Sequence, residues 1–204
     1  KALILPRAEA IGDAEAEVIR NFASAGGTVM ADVRPGIYDG HCKPRNAGVL
    51  DDLFGIERTA KPSATKVEIE GIGAVKADTG VRVTTGVAQI TAGGAPLFIA
   101  NKVGAGSAYM TNFDMSSYPR LDVADTPEEI AEGTRDLLGK AGIFPRYRLV
   151  GENGLRERNV ETVRWANGSM EIVALFRTGG LETNATMFLP QPRFVYDLRN
   201  RKSL

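Results

Sequence analysis

A strand–helix–strand pattern at the start of the chain constrains the fold more than any other feature of the sequence. Ala2 to Leu5 is a short apolar run that Pro6 stops, which is typical of a buried strand. The apolar spacing over residues 13–25, with Asp13 in the capping position, predicts a helix, and Thr28 to Val33 form the next apolar run. Two such strands joined through one helix in about 30 residues lie parallel in one sheet.

The rest of the chain divides into an α/β part and a β part. We predict an α/β domain over residues 1–145 and a β-sandwich-like unit, in part incomplete, over residues 146–204. Within the first domain the pattern predicts a polar loop over 34–46, a short helix over 49–54, a β insertion over 56–95, a hairpin formed by 96–100 and 107–113, and a helix over 126–141. In the second, Asn167-Gly168 between two strand-like runs predicts another hairpin.

Charge and composition exclude several classes of protein. Lys plus Arg and Asp plus Glu both number 25, so the net charge is zero, which argues against a nucleic-acid binder. The arginines of the stretch 146–164 alternate with glutamates, which favours a solvated strand face over a polyanion site. No apolar run is long enough for a membrane span, and we expect a soluble protein, with the cytoplasm favoured although the sequence leaves the compartment open.

Catalytic and metal chemistry find little support in the residue pattern. His41 and Cys42 are the chain's one histidine and one cysteine, and adjacent side chains are poorly placed for a nucleophile and its base. The same two residues with Asp39 lack a distant fourth ligand for a metal. Asp114 follows a predicted strand, but a glycosidase needs two carboxylates. We therefore predict no catalytic residue, no metal and no cofactor in this chain.

Three segments carry a resemblance to a known family. They are Leu3-Ile4-Leu5-Pro6 with the helix after it, Ala25-Gly26-Gly27-Thr28-Val29, and Ala105 to Asp114 with Tyr118 behind it. In this order they resemble the class I glutamine amidotransferase-like fold. More narrowly, they are similar to the trimerisation domain of β-galactosidases of glycoside hydrolase family 42, which is also followed by a β-sandwich.

This resemblance implies a flavodoxin-like parallel sheet whose catalytic residues have been lost. In active amidotransferases the nucleophilic cysteine follows the strand that here reads Val29 to Arg34, and no cysteine is present there. The family's Phe-His-Pro-Glu falls at Phe113-Asp114-Met115-Ser116, so both remaining triad positions are replaced. Related domains begin with one more strand and helix, and we expect this chain to be a fragment or a truncated domain.

The expected role is therefore a non-catalytic accessory or oligomerisation domain of a β-galactosidase-like glycoside hydrolase. Its expected partners are the other domains of the parent enzyme, further copies of itself and a carbohydrate. One alternative is a small-ligand or sugar-binding module with its site at the strand ends, for which the candidate residues are Arg34, Tyr38, His41, Asp114 and Tyr118. The other is a cysteine-dependent, amidotransferase-like hydrolase that uses Cys42.

The small number of predicted helices leads to an expectation about exposed surface. Two long helices are too few to cover both faces of a five-stranded sheet, so we expect the isolated chain to leave apolar surface for a partner. The alternative is that the segment 56–90 folds over the sheet and covers it.

Overall fold

A five-stranded sheet organises the N-terminal part of the computed structural model, which describes residues 1–59, 63–70, 73–114, 128–157, 159–180 and 184–204. Its strands lie in the order β1, β2, β9, β8, β7. Their bounds are β1 (Ala2–Leu5), β2 (Thr28–Ala31), β7 (Val87–Ala92), β8 (Ala95–Val103) and β9 (Gly106–Thr111). The described residues divide into two compact units, one ending at Ile143 and the other beginning at Phe144.

The sheet is mixed, which corrects the prediction of a flavodoxin-like parallel sheet. β1, β2 and β9 are parallel to one another, whereas β8 runs antiparallel to both β9 and β7. The reason is local: only Gly104 and Ala105 separate β8 from β9, and a two-residue turn joins antiparallel strands. The predicted hairpin is thus confirmed, and β7, which lies within the predicted insertion, belongs to the main sheet.

Both faces of this sheet carry covering elements. The helices are α1 (Asp13–Ser24), α2 (Asp51–Phe54) and α3 (Glu128–Lys140), and all three predicted helices are confirmed. Val29, Ala31 and Met110 pack with α1 and α2 on one face, while Met30 and Tyr109 pack with α3 on the other. This alternation along β2 and β9 is the period-two pattern of a sheet that is buried on both sides.

The segment that follows α2 contributes to the second face. It holds β3 (Ile56–Arg58), β4 (Ala64–Ile69), β5 (Gly73–Asp78) and β6 (Val81–Val83), with β3 paired to β6 and β4 to β5. Val67, Ile69 and Ala77 of the β4–β5 hairpin are buried in the same core as α3. The hairpin therefore supplies cover that the few helices do not, as the alternative above expects.

From Phe144 onward every described element is a strand. The strands form three separate pairs, which are β10 (Arg148–Gly151) with β13 (Ala185–Phe188), β11 (Val160–Asn167) with β12 (Met170–Arg177), and β14 (Tyr196–Asp197) with β15 (Lys202–Ser203). The hairpin at Asn167-Gly168 is confirmed. Leu149 is the one buried hydrophobic side chain among the described residues of this unit. No helix in the described residues is long and apolar enough to cross a membrane.

Candidate functional site

The ends of the three parallel strands bring two carboxylates to one arginine. Arg7 follows β1, Asp32 follows β2, and Asp114 lies three residues beyond β9. The main-chain N–H of Arg7 donates to Oδ1 of Asp32 at 2.6 Å, and its Nη1 lies 3.8 Å from Oδ2 of Asp114. Asp32 is buried, whereas the Arg7 side chain is 60% exposed. The carboxyl edge of the sheet therefore holds an ion pair that faces solvent above a buried carboxylate.

Arg34, the next candidate, lies in a constrained stretch of the same edge. Its φ of 62° is in the left-handed region, and its Nε is buried without a hydrogen-bond partner in the described residues. The stretch is held in place two residues later, where the N–H of Gly36 donates to the carbonyl of Ala8 at 2.9 Å. Tyr38 is fixed in the same way, because its N–H donates to the carbonyl of Glu9 and its carbonyl accepts from the N–H of Ile11.

The loop that carries His41 and Cys42 is closed by its own backbone. Oδ1 of Asp39 accepts from the N–H groups of His41 and Lys43 at 2.8 and 2.9 Å. These two bonds, that from Lys43 first, lower the pKa of Asp39. Because the carboxylate is engaged with the backbone, it does not orient the exposed imidazole towards the exposed thiol of Cys42. The loop geometry is that of a structural turn.

The structure brings together only some of the predicted candidates. Asp114 lies at the carboxyl edge with Arg7, Arg34 follows the neighbouring strand, and Tyr38 is fixed between that strand's loop and the segment after β1. His41 lies further along the loop, and Tyr118 lies outside the described residues, as do Met115 and Ser116. Arg7 was missed by the sequence analysis. The available signal was its position directly after a strand that ends in proline.

Both carboxylates at this edge are in contact with Arg7. The buried carboxylate of Asp32 accepts from the main chain of Arg7, and the carboxylate of Asp114 is paired with the Arg7 side chain. Two carboxylates that face one substrate are what a glycosidase needs. Among the described residues, no group of three or more His, Cys, Asp or Glu side chains could hold a metal ion.

The outer edge of the sheet is a second surface of interest. Among the strands that the structure describes, β1 pairs with β2 alone, and Ile4 is 48% exposed. Beside it lies an open groove of about 510 Å³ between β1 and α1. Its lining is almost entirely apolar and includes Leu3, Leu5, Ala8, Ala14, Val18 and Ile19. A solvent-exposed edge strand next to an apolar groove is typical of a surface that another segment covers.

Comparisons with known proteins identify the fold. No family model and no curated protein matches the chain. The whole chain superposes on 29% of Gan42B, a GH42 β-galactosidase from G. stearothermophilus, with a TM-score of 0.68 and 17% identity. The β-galactosidase from Bacillus circulans sp. alkalophilus aligns over 87% of this chain and 27% of its own length, with a TM-score of 0.61 and 17% identity.

A third solved structure agrees with these two. The cold-adapted β-galactosidase from Rahnella sp. R3 aligns over 93% of this chain and 29% of its own length, with a TM-score of 0.61 and 21% identity. At such identities the likeness concerns the fold, and the chain therefore has a fold similar to part of the GH42 β-galactosidases. It spans less than a third of the length of each of these three enzymes.

Proposed function

We propose that this chain is a non-catalytic assembly domain of a GH42-like glycoside hydrolase. The observation that carries the proposal is the match of the entire chain to under a third of a GH42 β-galactosidase, at a TM-score of 0.68. The sheet edge supports it as well, because the residue after β2 is the buried Asp32 and not a cysteine, and Asp114 replaces the expected histidine. The proposed role is to contact the other domains of the parent enzyme and to hold copies of it together.

The free edge of β1 is one proposed contact with the rest of the parent enzyme. The carbonyl of Lys1 accepts from the N–H of Thr28, so alternate residues of β1 bond to β2 while Ala2 and Ile4 direct their backbone groups outward. A further parallel strand added at this edge, with a right-handed crossover, places its helix on the same face as α1. That helix would lie in the apolar groove beside α1.

The hairpin β11–β12 is the other proposed contact. Its register puts every second pair on one face, and that face is apolar and exposed. The exposed side chains on it are Val163, Trp165, Met170, Ile172 and Phe176. The described residues of this unit include a single buried hydrophobic side chain, and a small unit with so little core is marginally stable. Another protein surface that covers the apolar face would stabilise it.

Two measurements on the purified chain test this proposal. We expect no turnover of nitrophenyl galactoside, nitrophenyl ester or glutamine, and strong fluorescence of a hydrophobic dye. Turnover that disappears in Cys42→Ala would instead support the cysteine hydrolase. Turnover of the galactoside that the Cys42→Ala variant keeps, or an absence of dye binding, would contradict the assembly role.

A sugar-binding module is the second candidate. Two observations favour it: the ion pair of Arg7 and Asp114 at the strand ends, and Arg34 after β2, whose Nε is buried and lacks a hydrogen-bond partner in the described residues. Saturation-transfer NMR with galactose is the test. Signals that are lost in Asp114→Asn and kept in Asp39→Asn would support this candidate, and an absence of signals in the wild type would dismiss it.

A further inference from the structure

One carboxylate in the C-terminal unit is surrounded by hydrogen-bond donors. Nη2 of Arg146 and Nη2 of Arg164 lie 2.5 and 3.0 Å from Oε1 of Glu171, and Nη2 of Arg193 lies 3.7 Å from the same oxygen. The hydroxyl of Tyr147 donates to the other carboxylate oxygen. The hydrogen bonds from Arg164, Tyr147 and Arg146 hold the pKa of Glu171 well below its usual range. The carboxylate is therefore ionised at neutral pH.

Each arginine of this cluster is held by a different part of the unit. Glu171 on β12 is paired with Ala166 of β11, so Arg164 lies two residues away on the same face of the hairpin. Arg146 precedes β10, and both its Nε and its Nη2 reach Glu171. Arg193 is fixed by a second bond, from its Nη1 to the carbonyl of Ser169 at 3.2 Å. The three guanidinium groups are therefore positioned before any ligand arrives.

The cluster has an excess of positive charge that faces solvent. Three guanidinium groups surround one carboxylate, which leaves two uncompensated positive charges, and within the described residues every ion pair of these arginines is with Glu171. The side chains of Arg146, Arg164 and Arg193 are 46, 37 and 30% exposed, against 13% for Glu171. The cations thus lie outside and the carboxylate beneath them. Like charges so close together repel, and a second anion relieves this repulsion.

We propose that this cluster of Arg146, Arg164 and Arg193 binds an oxyanion, such as sulfate, phosphate or the acidic group of a saccharide. Guanidinium groups bind planar and tetrahedral oxyanions through paired hydrogen bonds, and arginine clusters are a common recognition element for them. Glu171 orients the guanidinium groups and limits their affinity, since it already occupies some of their donors. The arginine-rich stretch is thus more than the solvated strand face that the sequence favours.

The test is calorimetric titration of the purified chain at low ionic strength with sodium sulfate. We expect binding of one sulfate per chain. Arg193→Gln removes one cation and should weaken binding about tenfold, while Glu171→Gln removes the competing carboxylate and should strengthen it by a similar factor. Arg199→Gln, which removes a positive charge outside the cluster, is the matched control and should leave the affinity within about twofold.

Opposite effects of Arg193→Gln and Glu171→Gln on the sulfate affinity distinguish an oxyanion site from a purely structural ion-pair network. Equal affinities in Arg193→Gln, Arg199→Gln and the wild type would overturn the proposal, as would an absence of sulfate binding. If Glu171→Gln does not fold, as checked by thermal unfolding, the comparison of Arg193→Gln with Arg199→Gln decides alone. A sulfated oligosaccharide that binds more than about tenfold tighter than sulfate identifies a saccharide as the source of the anion. Equal affinities for the sulfated oligosaccharide and for sulfate identify the free ion as the ligand.

Discussion

The main-chain N–H of Arg7 donates a hydrogen bond of 2.6 Å to Oδ1 of Asp32, and this bond ties the end of β1 to the end of β2. Arg7 has a φ of 46°, a conformation that costs an L-residue free energy, and the buried carboxylate helps to maintain it. The bond joins positions 25 residues apart. It gives the buried charge of Asp32 a structural role at the end of β2.

Removal of this acceptor should destabilise the fold. We expect Asp32→Ala to lower the free energy of unfolding by about 1–3 kcal/mol, because the N–H of Arg7 loses its partner. Asp32→Asn keeps an acceptor oxygen and should cost less. The measurement is urea denaturation, with Glu68→Gln on the exposed face of β4 as a control that stays within about 0.5 kcal/mol of the wild type. A loss in Asp32→Ala no larger than that of the control would show that the bond does not contribute.

The buried ion pair of Asp51 and Arg58 leads to a pH-dependent prediction. Nε and Nη2 of Arg58 both lie 2.8 Å from Oδ1 of Asp51, and the two side chains are 3% and 8% exposed. Burial raises the pKa of Asp51, and Arg58 opposes this rise. We expect Arg58→Met to lower the free energy of unfolding by about 3–5 kcal/mol, since it leaves a carboxylate buried without its cation.

The sign of the pH effect follows from the raised pKa. A carboxyl group whose pKa is higher in the folded protein contributes stability below its unfolded pKa, and this contribution is lost as the pH rises through the folded pKa. Without Arg58 the folded pKa rises further, so the variant should lose more stability than the wild type between about pH 5 and about pH 7. Urea denaturation of the wild type and of Arg58→Met at both pH values measures this difference in the free energy of unfolding. An equal change in the free energy of unfolding of both proteins between the two pH values would contradict this prediction.

Two glycines of the α/β unit distinguish the energetic cost of a steric clash from that of backbone strain. Gly55 has a φ of 66°, and a Cβ there would lie 2.2 Å from the backbone nitrogen of Gly86. Gly94 has a φ of 77°, but a Cβ there meets nothing within 4 Å. Gly94→Ala should therefore cost about 1–2 kcal/mol for its conformation alone. Gly55→Ala should cost at least about 2 kcal/mol more, which denaturant titration can resolve, and equal losses would show that the loop relaxes around the new methyl group.

The two edge strands of the main sheet offer a matched pair of positions at which the proposed assembly surface can be tested. Ile4 on β1 and Val87 on β7 are both exposed on edge strands, at 48% and 64%. A lysine on an edge strand hinders the pairing of further strands. We expect Ile4→Lys to reduce the dye binding and the self-association of the isolated chain, whereas Val87→Lys should change neither. An effect of Val87→Lys as large as that of Ile4→Lys would argue against the free edge of β1 as the contact.

Local patterns predict most elements of this fold, but they do not predict which of the short strands join the main sheet. The spacing in α1 and the turn at Gly104-Ala105 carry enough information to place a helix and a hairpin. The β8–β9 hairpin makes the sheet mixed, and β7 extends the sheet because only Gly93 and Gly94 separate it from β8. No feature of β7 alone distinguishes it from the other short strands of the insertion. Its position depends on β8, which is itself fixed by the turn to β9.

The candidate site likewise has features that the sequence predicts and features that it does not. The rule that strand ends gather at one edge predicts the placement of Asp32 and Asp114. The role of Arg7 was not predictable, because its left-handed backbone and its contacts depend on residues that lie far along the chain. Of the arginine cluster around Glu171, the sequence indicates only the arginine-rich stretch 146–164, since Arg193 joins the cluster from a segment with no regular pattern.

The most direct test of an assembly role is the oligomeric state of the isolated chain, followed by sedimentation velocity over a wide concentration range. The exposed edge of β1 and the apolar face of the β11–β12 hairpin predict association that increases with concentration and decreases in Ile4→Lys and Trp165→Lys. A strict monomer at the highest concentration, with no dye binding, would contradict the account and show that the chain needs no partner.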